Sequence, residues 1–286
     1  MDQQTLERIV SEVVQRVTKT SVVAPSVASS GGRPGVFTDL DSAVRAAGAA
    51  QRELGAISMA DRERIIQAMR DCALGQLEQL SVEAVEETGL GRVDDKIVKN
   101  RLVATKTPGT EILTPWVRTG DDGLVLQEYA PFGVIAAITP CTNPTETILC
   151  NAISFVAAGN SAVFNVHPAA KRLSARFIAD LNTAIMGAGG PNNLLTCIEE
   201  PTIDSANKLM THEGTRLVVV TGGGAVVKAA MNSGKRAIAA GPGNPPCVVD
   251  ETADIEAAGK GIVLGCSLDN NVVCIAEKEV LVVDQV

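Results

Sequence analysis

Residues 134–165, VIAAITPCTNPTETILCNAISFVAAGNSAVFN, decide the fold. Val134 to Ile138 is an apolar run of strand length, and Pro140 and Pro144 punctuate the segment after it. From Pro144 to about Ala157 the pattern is helical, and Ala162 to Asn165 reads as a second apolar strand. Strand, helix and strand in this order form the unit of a parallel sheet, because parallel neighbours need a long crossover between them.

Working toward the C-terminus, the alternation continues. Helices are expected from Ala169 to Met186, Ile203 to Met210, Ala225 to Met231 and Ile255 to Ser267. Strands are expected at Leu194 to Cys197, Leu217 to Val220, Ala237 to Ala240, Cys247 to Val249 and Val280 to Val283. The fold class is therefore α/β, a Rossmann-like parallel sheet with helices on both faces. Dinucleotides bind at the carboxyl ends of such strands.

Toward the N-terminus, Leu124 to Glu128 and Val134 to Ile138, around Pro131 and Gly133, suit two strands joined by a turn. Thr38 to about Thr105 is mostly helical: Asp41 to Arg52, Asp61 to Glu87 ending before Gly89 and Gly91, and Asp94 to Ala104. This is a helical layer preceding the sheet. At the start, Leu6, Ile9, Val10, Val13, Val14 and Val17 recur at helical spacing, so residues 1–18 read as an amphipathic helix. A tether over 19–34, rich in Ser, Val, Gly and Pro, separates it from the rest. Such a helix either packs on its own domain or, held away by the tether, docks its apolar stripe in a partner's groove. Its charges cancel, so attraction to anionic lipid does not explain the stripe.

Composition narrows the function. With 45% hydrophobic residues among 286 the chain can bury a sizeable core, and with 2% aromatics it must do so with Ala, Val, Ile and Leu. A net charge of −8 without a basic cluster argues against nucleic acid and anionic membrane as partners. Seven cysteines without CxxC spacing or histidine pairs argue against zinc and against a disulfide scaffold, so no metal is expected. No apolar run approaches the ~20 residues of a membrane span. No basic-then-apolar leader opens the chain, and the expected home is cytoplasmic.

Four segments could carry chemistry. The fingerprint GxGxxG is absent. Val220-Thr221-Gly222-Gly223-Gly224, where a strand meets a helix, is either an ordinary turn or a cradle of amides for a pyrophosphate. Gly241-Pro242-Gly243-Asn244-Pro245-Pro246 is a rigid turn between apolar strands. In Thr139-Pro140-Cys141-Thr142-Asn143-Pro144, Asn143 is either a helix cap or an amide donor to an oxyanion. Cys274, in DNNVVCIAEK at 269–278, is either a small core residue or a nucleophile.

Taken together, TPCTNPTET at 139–147, HPAAK at 167–171, VVVTGG at 218–223, AAGPGNPPCVVDETAD at 239–254 and DNNVVCIAEK at 269–278 resemble the aldehyde dehydrogenase superfamily. Within it the chain is similar to the coenzyme A-acylating propionaldehyde and acetaldehyde dehydrogenases of bacterial microcompartments. The match runs in order across nearly all of residues 35–286. The resemblance implies that Cys274 is the nucleophile and that Asn143 donates to the oxyanion. It implies NAD binding around Thr139, Pro140, His167, Pro168, Thr221, Gly222, Gly223 and Gly241, and coenzyme A as co-substrate. Hydrolytic relatives carry a water-activating glutamate where this chain has Ala240, which favours transfer of the acyl group to a thiol.

The same resemblance implies a nucleotide-binding domain at 35–268, with strands near 123–138 contributing to a homo-oligomer. Residues 269–286 then begin a catalytic domain that is largely absent from these 286 residues. It also implies that residues 1–18 bind a microcompartment shell protein. Two positions depart from the pattern: His167 stands where hydrolytic relatives have a ribose-binding lysine, and Cys141 stands where a serine is expected. If Cys141 lies within reach of Cys274, oxidation would join them and silence the enzyme.

Overall fold

A computed structural model of the chain describes residues 32–284 and 286. The amphipathic helix expected at 1–18, and the tether as far as residue 31, lie outside the described residues.

After a two-residue strand, β1 (Val36–Phe37), four helices follow in the described chain: α1 (Leu40–Leu54), α2 (Met59–Leu74), α3 (Leu77–Thr88) and α4 (Val93–Lys106). Side chains cap the first two. Asp39 accepts from the Ser42 amide at 2.9 Å, and Ser58 accepts from that of Asp61 at 3.1 Å, satisfying amides that the helix itself leaves unpaired. The single helix expected from Asp61 to Glu87 is in fact α2 and α3. The break falls at Gly75 and Gln76, where Gly75 closes α2 on the Asp71 carbonyl. Gln76 leaves helical geometry, and its side-chain oxygen takes a 2.7 Å hydrogen bond from Arg176. The bend lets both pieces pack on α6 (Lys171–Gly187).

The main sheet has six parallel strands in the order β1 (Val36–Phe37), β6 (Leu195–Ile198), β5 (Ser161–Asn165), β4 (Val134–Ile138), β7 (Leu217–Thr221) and β8 (Arg236–Ala240). Successive side chains alternate between two cores. Ile135, Ala137, Phe164 and Leu195 join the cluster containing α5 (Pro144–Ala157), α6 and the outer helices. Val134, Ala136, Ile138, Val163, Val218 and Val220 join the cluster under α1, α7 (Ile203–Thr211) and α8 (Gly224–Met231). Burial on both faces is why these strands read as unbroken apolar runs. The expected helices on both faces are present.

Two expected pairings are different. The strand predicted at Leu124 to Glu128 is β3 (Gly123–Gln127), and it pairs antiparallel with β2 (Trp116–Gly120) instead of joining β4 through a turn. The two residues Asp121 and Asp122 close that hairpin, while β4 is already flanked by β5 and β7 and has no free edge. Both hairpin strands are exposed along their length. In the second case, β9 (Pro246–Val249) and β10 (Glu279–Val282) do not extend the main sheet. They pair in parallel with each other, with α9 (Ile255–Ser267) as their crossover. Pro242 and Pro245, which lack amide protons, separate β9 from β8 and prevent a continuous ladder.

No helix of the described residues is long and apolar enough to cross a membrane.

Candidate active site

Parallel neighbours in close register deliver their outgoing loops to one edge. Ile138 lies opposite Asn165 and Val220, and Thr221 lies opposite Ala240. Thr139, Pro140, His167, Pro168, Thr221, Gly222, Gly223 and Gly241 therefore all leave the sheet at its carboxyl edge. From β4 the chain steps outward through β5 to β6, then returns to β7 on the opposite flank of β4. The strand order reverses between β4 and β7, the point at which open parallel sheets form a ligand crevice, with Thr139 and Pro140 following one strand and Thr221 to Gly223 at the end of the other.

Two features of this crevice are unusual for a plain turn. Gly223 is the cap residue of α8 and brings no side-chain hydrogen bond to it, and a Cβ on Gly223 or Gly224 would meet open space. Thr139 is 3% exposed, yet its Oγ1 has no partner among the described residues. His167 lies one strand away and is exposed. Its Nδ1 accepts from the Ala169 amide at 3.1 Å, which caps the short turn Pro168–Ala170.

Asn143 occupies the cap position of α5 but does not cap it. Its Oδ1 instead accepts a 2.5 Å hydrogen bond from the Lys99 ammonium, while its Nδ2 makes only a 3.3 Å contact with Thr142 Oγ1. An ammonium can only donate, so it fixes which end of the carboxamide faces it. The donor end is left for other use.

Lys99 belongs to a buried charge cluster that the sequence reading missed. Its Nζ also reaches Asp269 Oδ2 at 2.5 Å and Glu146 Oε1 at 3.2 Å. Lys96 Nζ meets the same Asp269 oxygen at 3.1 Å and the Thr142 carbonyl at 3.2 Å. Asp269 Oδ1 accepts from the Arg92 amide at 2.7 Å. Two cations face two carboxylates, which is the condition for keeping charge out of water. Burial pushes the Asp269 carboxyl up, but hydrogen bonds from Lys99 and the Arg92 amide, with the charges of Lys99 and Lys96, hold it below its ordinary value of 3.8. A signal for the cluster existed in α4. That helix buries Lys96, Lys99 and Asn100 and exposes Val98 and Leu102, the reverse of an ordinary amphipathic helix.

Asp269 also begins the turn that carries Cys274. Asp269, Asn270 and Asn271 have φ of 51°, 54° and 59°, a left-handed run that Asp and Asn tolerate better than other side chains. It is anchored from both ends. Gly91 packs so closely that a Cβ there would strike the Asp269 carboxylate. Asn271 Nδ2 donates to the carbonyls of Cys266 at 2.7 Å and Glu277 at 3.0 Å, and Lys278 Nζ binds the Val273 carbonyl at 2.9 Å. Cys274 rides on this clamp with its side chain exposed, between buried Val273 and Ala276. Gly243 lies directly on its backbone, where any side chain would strike the Cys274 carbonyl.

The other thiols differ. Burial pushes Cys197 up to about 12 and raises Cys72 as well, which keeps both in the inert thiol form. All seven cysteines are free, including the pair Cys141 and Cys274 considered for oxidation. Among the described residues no group of three or more His, Cys, Asp or Glu is placed to hold a metal ion.

Known proteins share this architecture. The profile of the aldehyde dehydrogenase family matches residues 12–286. The acetylating acetaldehyde dehydrogenase EutE of Salmonella typhimurium is 50% identical over all of this chain and 60% of its own length. A propionaldehyde dehydrogenase from the Clostridium phytofermentans fucose utilisation bacterial microcompartment superposes with a TM-score of 0.86 at 51% identity, over 88% of this chain and 58% of that one. The propionaldehyde dehydrogenase of Rhodopseudomonas palustris, with bound CoA and an acylated cysteine, gives 0.86 at 52%, over 88% and 58%. An engineered glycolyl-CoA reductase with bound NADP+ gives 0.86 at 51%, over 88% and 57%. The chain thus spans about three fifths of the curated relative it matches.

Proposed function

The chain belongs to the aldehyde dehydrogenase family, and from that premise we propose that the whole protein oxidises acetaldehyde or propionaldehyde with NAD+ and passes the acyl group to coenzyme A. The observation that carries this reading is that one buried ammonium, Lys99, holds both the Asn143 carboxamide and the turn that presents Cys274.

The Cys274 thiolate adds to the aldehyde carbonyl, and the carbonyl oxygen becomes an alkoxide. The Asn143 amide and the Cys274 backbone N–H are the donors for that charge, already oriented before it forms. The nicotinamide, when bound, supplies the hydride acceptor. Thr139, Pro140, His167, Pro168, Thr221, Gly222, Gly223 and Gly241 would hold the nucleotide. The orphaned Thr139 hydroxyl and the open Gly223 and Gly224 fit it, since a buried donor needs a partner and a pyrophosphate needs close backbone approach. Hydride loss leaves a thioester on Cys274. The coenzyme A thiol attacks this thioester, acyl-CoA departs, and Cys274 is regenerated. At the end of β8, Ala240 offers no carboxylate to activate water, so a thiol is the favoured acceptor.

Incubating the full-length protein with NAD+, propionaldehyde and coenzyme A tests the reading. NADH formation that requires coenzyme A and yields propionyl-CoA is expected. NADH formed equally well without it would mean hydrolysis, and nucleotide binding without reduction would mean a non-catalytic module.

The exposed apolar residues Trp116, Val117, Leu124, Val125 and Leu126 support the hairpin as an oligomer surface. We also propose that the protein is microcompartment cargo and that residues 1–18 contact the shell. A reporter fused to those residues should gather with shells in cells that make them, and a diffuse reporter would refute this.

A further inference from the structure

Resting on the reading of Asn143 as the oxyanion donor, we propose that Lys99 is a positioning residue. It sets the orientation and donor strength of the Asn143 carboxamide, and Asp269 ties that setting to the nucleophile turn.

A carboxamide at a helix cap ordinarily accepts, through its oxygen, from the first-turn amides. Here that bond is missing and the oxygen is committed to Lys99 at 2.5 Å. Rotating the carboxamide by half a turn would put its NH2 against an ammonium, so one orientation is enforced. The bond is charge-assisted, and drawing electron density toward Oδ1 leaves the Nδ2 protons more positive. A stronger donor is what a developing alkoxide needs.

Lys99 itself has little freedom. Its Nζ meets Asn143 Oδ1, Asp269 Oδ2 and Glu146 Oε1, with its side chain 10% exposed. Asp269 is in turn fully buried and starts the left-handed run that leads to Cys274. Donor and nucleophile therefore share one anchor. Stability alone is a weak reason for this arrangement, because apolar packing usually serves at least as well as a buried ion pair. The same helix leaves Val98 and Leu102 in water while burying its lysines.

The test is a double-mutant cycle in the full-length enzyme, with Lys99→Met and Asn143→Ala alone and together. The readouts are kcat and KM for coenzyme A-dependent aldehyde oxidation, and the rate at which iodoacetamide alkylates Cys274. Lys99→Met should lower kcat on the order of 10- to 100-fold, less than or comparable to loss of the donor itself. Aldehyde KM and the alkylation rate should each stay within about threefold, since neither reads the oxyanion and Asp269, still held by Lys96 and the Arg92 amide, keeps the Cys274 turn in place. In the Asn143→Ala background the same change should cost less than about threefold, because its target is gone. If Lys99→Met does not fold, the cycle is read with Lys99→Gln, a neutral donor expected to lose about tenfold, again only when Asn143 is present.

The proposal is overturned if the Lys99 substitution costs its full factor without Asn143, or if alkylation slows in parallel with kcat. Full activity of Lys99→Met beside an impaired Asn143→Ala overturns this proposal alone. Full activity of Asn143→Ala, or no coenzyme A-dependent oxidation by the unmutated enzyme, overturns both this and the functional reading beneath it.

Discussion

The six-stranded sheet and the turn bearing Cys274 are held by opposite means. In the sheet, Ile135, Phe164 and Val218 are almost wholly buried, and apolar area removed from water supplies the stability. In the turn, Cys274 and Ile275 are exposed, and position is set by Asp269, Asn271 and Lys278 through directional polar bonds. Apolar packing is tolerant of direction, whereas a hydrogen bond loses strength steeply with misalignment. The molecule thus uses the tolerant force where only stability is needed and the exacting one where an atom must be placed.

Substitutions can break that contrast. Cys274→Ala should remove turnover, on the order of 10⁴-fold or more, while leaving denaturant unfolding unchanged, because the exposed sulfur packs against little. Acyl-CoA formation and an unfolding curve on the same preparation check both halves. Phe164→Ala should do the converse, costing about 3–5 kcal/mol of stability by opening a cavity in the sheet core. Where enough protein stays folded, its KM should be near normal.

Asp269→Asn is expected to fall in both classes. It leaves Lys96 and Lys99 short of a counter-charge and should cost roughly 3 kcal/mol, with a loss of kcat. It should also change the acid limb of the stability curve. The Asp269 carboxyl is held below 3.8 in the folded chain, so its stabilisation is fully present above that pH and is lost as pH falls through the lower folded value. Wild type should therefore lose stability more steeply than Asp269→Asn below 3.8, as urea midpoints measured across that range would show. The smallest effect is expected from Asp39→Ala, far from the turn, which should cost about 1 kcal/mol by uncapping α1 and leave kcat untouched.

The contrast also explains what the sequence could be made to yield. Helices α5 and α9 were legible to the residue, because Pro144 and Asp254 mark their starts and the apolar pattern stops where they end. Strand β1, two residues long, has no period to read. The break at Gly75 was hidden because helical spacing continues across it, and only the tertiary bond from Arg176 to Gln76 settles the bend. The partnership of β9 with β10 depended on two prolines whose effect on sheet membership is not local.

At the site, Cys274 and Asn143 were visible as residue types in a motif, but both kept two readings. Geometry reduces the choice for Asn143, whose oxygen is committed to Lys99 and not to its helix. The cluster itself escaped because Lys99 and Asp269 stand 170 positions apart, and a lysine in a helix is usually on the wet side. Only the misplaced Val98 and Leu102 announced it.

The inverted helix α4 bears on how the chain matures during translation. Lys96 is synthesised 173 residues before Asp269, the carboxylate it contacts. At ribosomal speeds of about 5–20 residues per second, that is a wait of roughly 9–35 s. Until then a bare ammonium cannot leave water, and the helix has every reason to turn its Val98 side inward instead. The native face can close only when the turn bearing Cys274 has emerged, so an incomplete nascent chain is denied the contact that would seal this helix.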